Sequence, residues 1–125
     1  MPRHRSVSLP GWRTRAAAGT ALLAASWWVA WHGTDHGRIG DLTFFPLWLG
    51  YIVALDAITE RRTGSSLLRR SPRRWLGLFV ASAPAWWVFE WFNGYLGNWR
   101  YVGTDWATVP RIAHATLCFS TVMPA

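Results

Sequence analysis

Along this chain, long apolar runs alternate with short polar segments, and the runs are continuous rather than striped. Residues 16–31 (AAAGTALLAASWWVAW), 42–58 (LTFFPLWLGYIVALDAI) and 75–97 (WLGLFVASAPAWWVFEWFNGYLG) each hold about the length that crosses a hydrocarbon core, near 17–25 residues. A fourth run begins at Val109 and reaches Ala125, with Arg111 and His114 inside it. A helix that is apolar all round belongs in a core or in lipid, and a chain this short has no core to bury three of them. The pattern predicts an all-α transmembrane helical bundle of three complete spans, with a fourth that is truncated or marginal. Residues 1–15 form a basic cytoplasmic tail ahead of a transmembrane domain covering 16–125.

The breakers agree with this division. Pro10-Gly11 closes the tail, Gly33, Gly37 and Gly40 punctuate residues 32–41, and Gly64-Ser65-Ser66 and Ser71-Pro72 punctuate residues 59–74. Pro46 falls in the first turns of the second run, where a missing amide donor costs least, whereas Pro84 lies well inside the third. A cleaved signal peptide is the rival reading of the first run. No small-x-small site follows it, and Trp27, Trp28 and Trp31 at its end suit a headgroup-level belt better than a peptidase.

Charge then orients the runs. All 13 basic residues are Arg, against six acids, for a net charge of +7. Four (Arg3, Arg5, Arg13, Arg15) precede the first run, and six (Arg61, Arg62, Arg69, Arg70, Arg73, Arg74) lie between the second and third. Residues 32–41 and 98–108 hold one each, Arg38 and Arg100. Confinement to alternate connections is the positive-inside bias, and it turns a composition that invites nucleic-acid binding into a topology. The N-terminus and residues 59–74 are expected in the cytoplasm, touching anionic lipid headgroups, with no nucleic-acid partner. The mean hydropathy of only +0.09 averages apolar blocks with arginines and 11 Trp.

Candidate chemistry is sparse, and no cofactor is implied. Cys118 is the single cysteine, which excludes an internal disulfide and every Cys-x-x-Cys pattern. An ionised group at mid-membrane costs roughly 2.5–3.5 kcal/mol on insertion scales, so each needs a reason. Asp56 lies at the inner end of its run beside Glu60, Arg61 and Arg62, and reads as an interfacial ion pair. Glu90 lies deeper, among Trp86, Trp87 and Trp91, with Asn93 one turn on. Depth matches it to His114 and Arg111 of the fourth run. The candidate site is therefore a polar cluster of Glu90, Asn93, Arg111 and His114, either relaying protons or binding a headgroup, or holding helices in register. Gly77, Ala81 and Ala85 make a small-residue stripe suited to close helix packing. His32, Asp35 and His36, with Asp41 beyond, have metal-ligand chemistry. Gly33 and Gly37 oppose the rigid helix that would aim both imidazoles at one ion, and the set falls short of a closed shell.

The runs Thr43-Phe44-Phe45-Pro46-Leu47-Trp48-Leu49-Gly50-Tyr51 and Arg61-Arg62-Thr63-Gly64 are suggestive together. With Trp86-Trp87-Val88-Phe89-Glu90-Trp91-Phe92-Asn93 and Asn98-Trp99, they resemble a family of uncharacterised bacterial multi-pass inner-membrane proteins. The resemblance covers about residues 42–125 and brings no known activity, cofactor or site. Members continue past the Phe119–Ala125 segment, which implies that this chain is the N-terminal portion of a longer one. The expectation is a multi-pass integral membrane protein of unassigned activity in a bacterial inner membrane. The alternatives are a membrane-embedded enzyme acting on a lipid or isoprenoid with Glu90 as acid or base, and a subunit of a small-solute transporter. No internal repeat supports the last.

Overall fold

Each apolar run folds as a helix and recruits polar residues at its ends. The computed structural model describes residues 9–33, 38–101 and 108–125, and leaves the side chains of 38–41 and 108 undescribed. Within them the order is α1 (Trp12–His32), α2 (Arg38–Thr63), a single turn α3 (Leu67–Arg70), α4 (Pro72–Leu96) and α5 (Thr108–Phe119), with no strand. α1 starts four residues earlier than the apolar run, because Pro10-Gly11 is the true breaker and Arg13-Thr14-Arg15 continue the helix. α2 extends at both ends, from Arg38 to Thr63. It stops where Gly64 adopts φ 78°, its N–H bonding the Glu60 carbonyl at 2.8 Å.

Two serines start the next elements. Ser66 Oγ accepts from the Arg69 N–H and Ser71 Oγ from the Arg74 N–H, and Pro72 takes the first helical position of α4. α4 runs through Pro84 and ends at Gly97, left-handed at φ 62°. Helix α5 stops at Phe119, short of the Ala125 limit expected for the fourth run, and residues 120–124 form turns.

α1 and α2 form an antiparallel hairpin closed at a pair of glycines. A Cβ on Gly19 would fall 2.7 Å from the Ala54 nitrogen and the Gly50 oxygen. One on Gly50 would fall 2.7 Å from the Gly19 oxygen and the Leu23 nitrogen. No side chain fits there, so the backbones themselves touch. The close approach thus lies in the hairpin. The stripe expected on α4 is open instead: Gly77 and Ala81 are exposed, and a Cβ on Gly77 would meet nothing within 4 Å.

α4 packs chiefly against α5 and α3, and α2 touches α5 more lightly. Ser82 joins α4 to the end of α5: its hydroxyl donates to the Phe119 carbonyl at 2.5 Å and accepts the Met123 N–H at 3.0 Å. Phe119 lies on the rings of Trp86 and Trp87, and Trp87 Nε1 donates to Thr116 Oγ1 at 3.0 Å.

The distribution of polarity is inverted relative to a water-soluble domain. The buried apolar residues are Ile52, Ala54, Ala57, Cys118 and Phe119, while Arg15, Ser26, Thr43, Glu60, Ser66, Ser82 and Thr121 are buried as well. The large side chains Trp27, Trp28, Trp31, Leu76, Val80, Val88, Phe89, Trp91 and Phe92 are exposed, Val80 at 75%. On α4 the consecutive pairs 88–89 and 91–92 spread over about 160° of the helix circumference, opposite the side that carries Trp86, Glu90 and Asn93. One described helical segment, Leu42–Thr63, is long and apolar enough to cross a membrane by length and mean hydropathy, at 1.6.

Candidate functional site

Two polar centres occupy opposite ends of the long helices. The first is built on Arg15. Its guanidinium donates to Asp56 Oδ2 at 2.6 Å and to Glu60 Oε2, and its Nε–H to the Pro10 carbonyl at 3.1 Å. Arg15, Asp56 and Glu60 keep only 6%, 7% and 9% of their side chains exposed, so this is an interior ion cluster. Arg69 of α3 adds a bond to Glu60 Oε1 at 3.0 Å, and the Leu68 N–H bonds Asp56 Oδ1 at 3.1 Å. Three of the four atoms bonding these carboxylates come from arginine, and each carboxylate uses both oxygens.

Asp56 therefore pairs across helices with Arg15 rather than with Arg61 or Arg62 along its own. Arg61 instead lies with Arg13 over the Trp12 ring, each guanidinium 5.4 Å from the ring centroid. Reading Arg15 as part of a tail missed the centre. The available signal was spacing, since Asp56 and Glu60 are one turn apart and share a face.

The second centre is built on Glu90. Three neutral donors converge on its Oε1: Trp86 Nε1 at 3.1 Å, Trp99 Nε1 at 3.2 Å and the Tyr101 hydroxyl at 2.5 Å. Trp86 is one turn back on α4, whereas Trp99 and Tyr101 arrive because the chain reverses. Gly97 turns it, and Asn93 clamps it, its Nδ2 donating to the Trp99 carbonyl at 3.0 Å while its Oδ1 accepts the Trp99 N–H at 3.1 Å. Burial, and then the bond to Glu90, hold the Tyr101 hydroxyl above its ordinary 10.0.

Of the four residues expected to cluster, Glu90 and Asn93 share the fold-back segment. His114 and Arg111 are not among the partners of Glu90. Both ring nitrogens of His114 lie near the Cys118 sulfur, at 3.6 and 3.8 Å, and Arg111 is exposed. Depth matching failed because α5 docks on α4 through Trp87 and Phe119, and the Glu90 face is already covered by residues 99–101. Trp99 and Tyr101 were missed because local reversal after Gly97 is invisible to helical periodicity.

His32 stacks on Trp28, with ring centroids 3.8 Å apart, and its Nδ1 lies 3.1 Å from the Trp28 carbonyl. Asp35 and His36 lie outside the described residues. Among the described residues no three His, Cys, Asp or Glu side chains gather as a metal site. No family model, characterised protein or solved structure matches the chain.

Proposed function

We propose that this chain is a multi-pass integral protein of a bacterial inner membrane. In this reading α1, α2 and α4 each cross the bilayer, and the N-terminus and the α2–α4 connection face the cytoplasm. The observation that carries the reading is the outward placement of the large apolar side chains over a partly polar interior. Leaving a Leu, Val or Phe in water forgoes about 1.5–3 kcal/mol. Across the exposed residues of α1 and α4 that sum would exceed the roughly 5–15 kcal/mol by which a domain is stable. Lipid removes the deficit.

Lengths agree: at 1.5 Å per residue the three helices reach roughly 31, 39 and 37 Å, against a core of about 30 Å. α5, at about 18 Å, is too short to cross by itself. α1 and α4 each carry four Trp, an interfacial residue rather than a hydrophilic one, against one in α2. The orientation rests on the Arg imbalance, and the arginines of residues 59–74 lie against anionic headgroups. Glu90, satisfied by three neutral donors, acts here as the fixed point that folds residues 98–101 onto the end of α4.

Two measurements test this. Membranes washed in alkaline carbonate should retain the protein. In a Cys118→Ser background, a membrane-impermeant maleimide applied to intact cells should label Asn98→Cys and not Thr63→Cys. Release by carbonate sinks the membrane assignment, and labelling at Thr63 alone reverses the orientation.

A further inference from the structure

We infer that the groove between α3 and the start of α4 binds the phosphate of an anionic phospholipid, with an acyl chain laid along the adjoining face of α4. The inference rests on the membrane reading above and adds a defined site to it. The groove has a volume of about 420 Å³ and is lined by Leu67, Arg70, Ser71 and Arg74.

Its charge is uncompensated. The acids nearby in the fold are Asp56 and Glu60, and both are consumed: Asp56 by Arg15 and the Leu68 amide, Glu60 by Arg15 and Arg69. Neither Arg70 nor Arg74 makes a side-chain bond or ion pair with any described residue. Two guanidiniums around one concavity, each a planar fork of donors, match the paired oxygens of a phosphodiester. Ser71 Oγ already accepts the Arg74 N–H at 3.4 Å, which leaves its hydroxyl hydrogen to donate into the groove.

What selects a lipid over a soluble phosphate is the surface that continues from Arg74. Gly77 and Ala81 follow it at three and seven residues on the same face of α4, both exposed. The space over Gly77 is open, since a Cβ there would meet nothing within 4 Å. A low apolar track leading away from a cationic groove is the shape of a headgroup site with its acyl chain.

The test uses the full chain in non-ionic detergent micelles, titrated with fluorescent phosphatidylglycerol or phosphatidylcholine, with glycerol 3-phosphate as soluble competitor. Arg70→Gln/Arg74→Gln should weaken phosphatidylglycerol binding by roughly tenfold or more, the scale of two lost charge-assisted bonds. Arg61→Gln/Arg62→Gln, with the same charge change, should weaken it by less than about twofold, because neither residue lines the groove. Gly77→Leu should weaken phosphatidylglycerol without unfolding the protein. Equal losses in the two Arg pairs would overturn the groove in favour of diffuse surface charge. Equal affinity for phosphatidylcholine, whose choline cation balances its phosphodiester, would overturn the preference for a net anionic lipid, and full displacement by glycerol 3-phosphate would overturn the lipid. Carbonate extraction of the same preparations reports separately on the membrane assignment, because loss of headgroup binding leaves insertion intact.

Discussion

At the scale of single residues, Arg15 carries the most consequence. It is one cation between two buried carboxylates, so removing it leaves Asp56 with only the Leu68 amide and Glu60 with only Arg69. Breaking a buried ion pair from one side costs about 3–5 kcal/mol, whereas replacing all partners with apolar groups of similar volume is often neutral. Arg15→Met should therefore lower the melting temperature in detergent sharply. Arg15→Met/Asp56→Leu/Glu60→Leu should recover most of the loss, because Arg69 is half exposed and can be solvated without Glu60. A triple variant no better than the single one would show that the cluster is held by more than charge balance.

Tyr101 is the second residue with a measurable signature. Its hydroxyl is held above 10.0, first by burial and then by Glu90, although the ring is 51% exposed. Because the folded value exceeds the unfolded one, this contribution to stability is whole below pH 10.0 and is lost as pH rises through the folded value. In an alkaline absorbance titration, Tyr101→Phe should remove a tyrosinate component that ionises above pH 10. Loss of a component at or below pH 10 would contradict the Glu90 bond. The same bond makes Glu90→Gln milder than Glu90→Leu, since Gln keeps an acceptor for the three donors and Leu strands them. Limited proteolysis near residues 98–101 reads the difference: cleavage should rise in the Leu variant and stay near wild type in the Gln variant.

At the scale of elements, glycines that look alike in sequence have opposite roles. Gly19→Leu drives a side chain into the backbone of α2, where nothing can yield, and overpacking of this kind costs at least about 1–3 kcal/mol. Gly77→Leu points into open space and should leave the melting temperature in lipid-free detergent within error of wild type. A Gly19 variant as stable as the Gly77 variant would refute the glycine crossing. The comparison shows what could be read from the chain. The three long helices follow from the apolar blocks, and their caps from Gly64, Ser71 and Gly97. Which glycine meets a partner depends on how two helices rotate about each other, and continuous apolar runs leave that rotation unspecified. The four-residue spacing of Gly77, Ala81 and Ala85 predicts a close contact on α4, yet that helix is open at Gly77 and Ala81.

At the scale of the whole molecule, there are two helical groupings, the α1·α2 hairpin and α4 with α5, joined through α3 and a light α2·α5 contact. The polar centres follow that division: Arg15, Asp56 and Glu60 secure the hairpin, Glu90 and Asn93 secure the end of α4. This arrangement was the least visible in the sequence, because depth in the membrane constrains which residues are level but not which helices are neighbours. The glycine crossing also has a consequence for the order of manufacture. Gly19, Gly50, Arg15, Asp56 and Glu60 are all translated before the first residue of α4, so the hairpin can close, with its carboxylates neutralised, while the ribosome is still working. In the proposed topology α4 then enters the bilayer beside a finished pair, and an obstruction at residue 19 should delay the insertion of a helix whose own sequence is untouched.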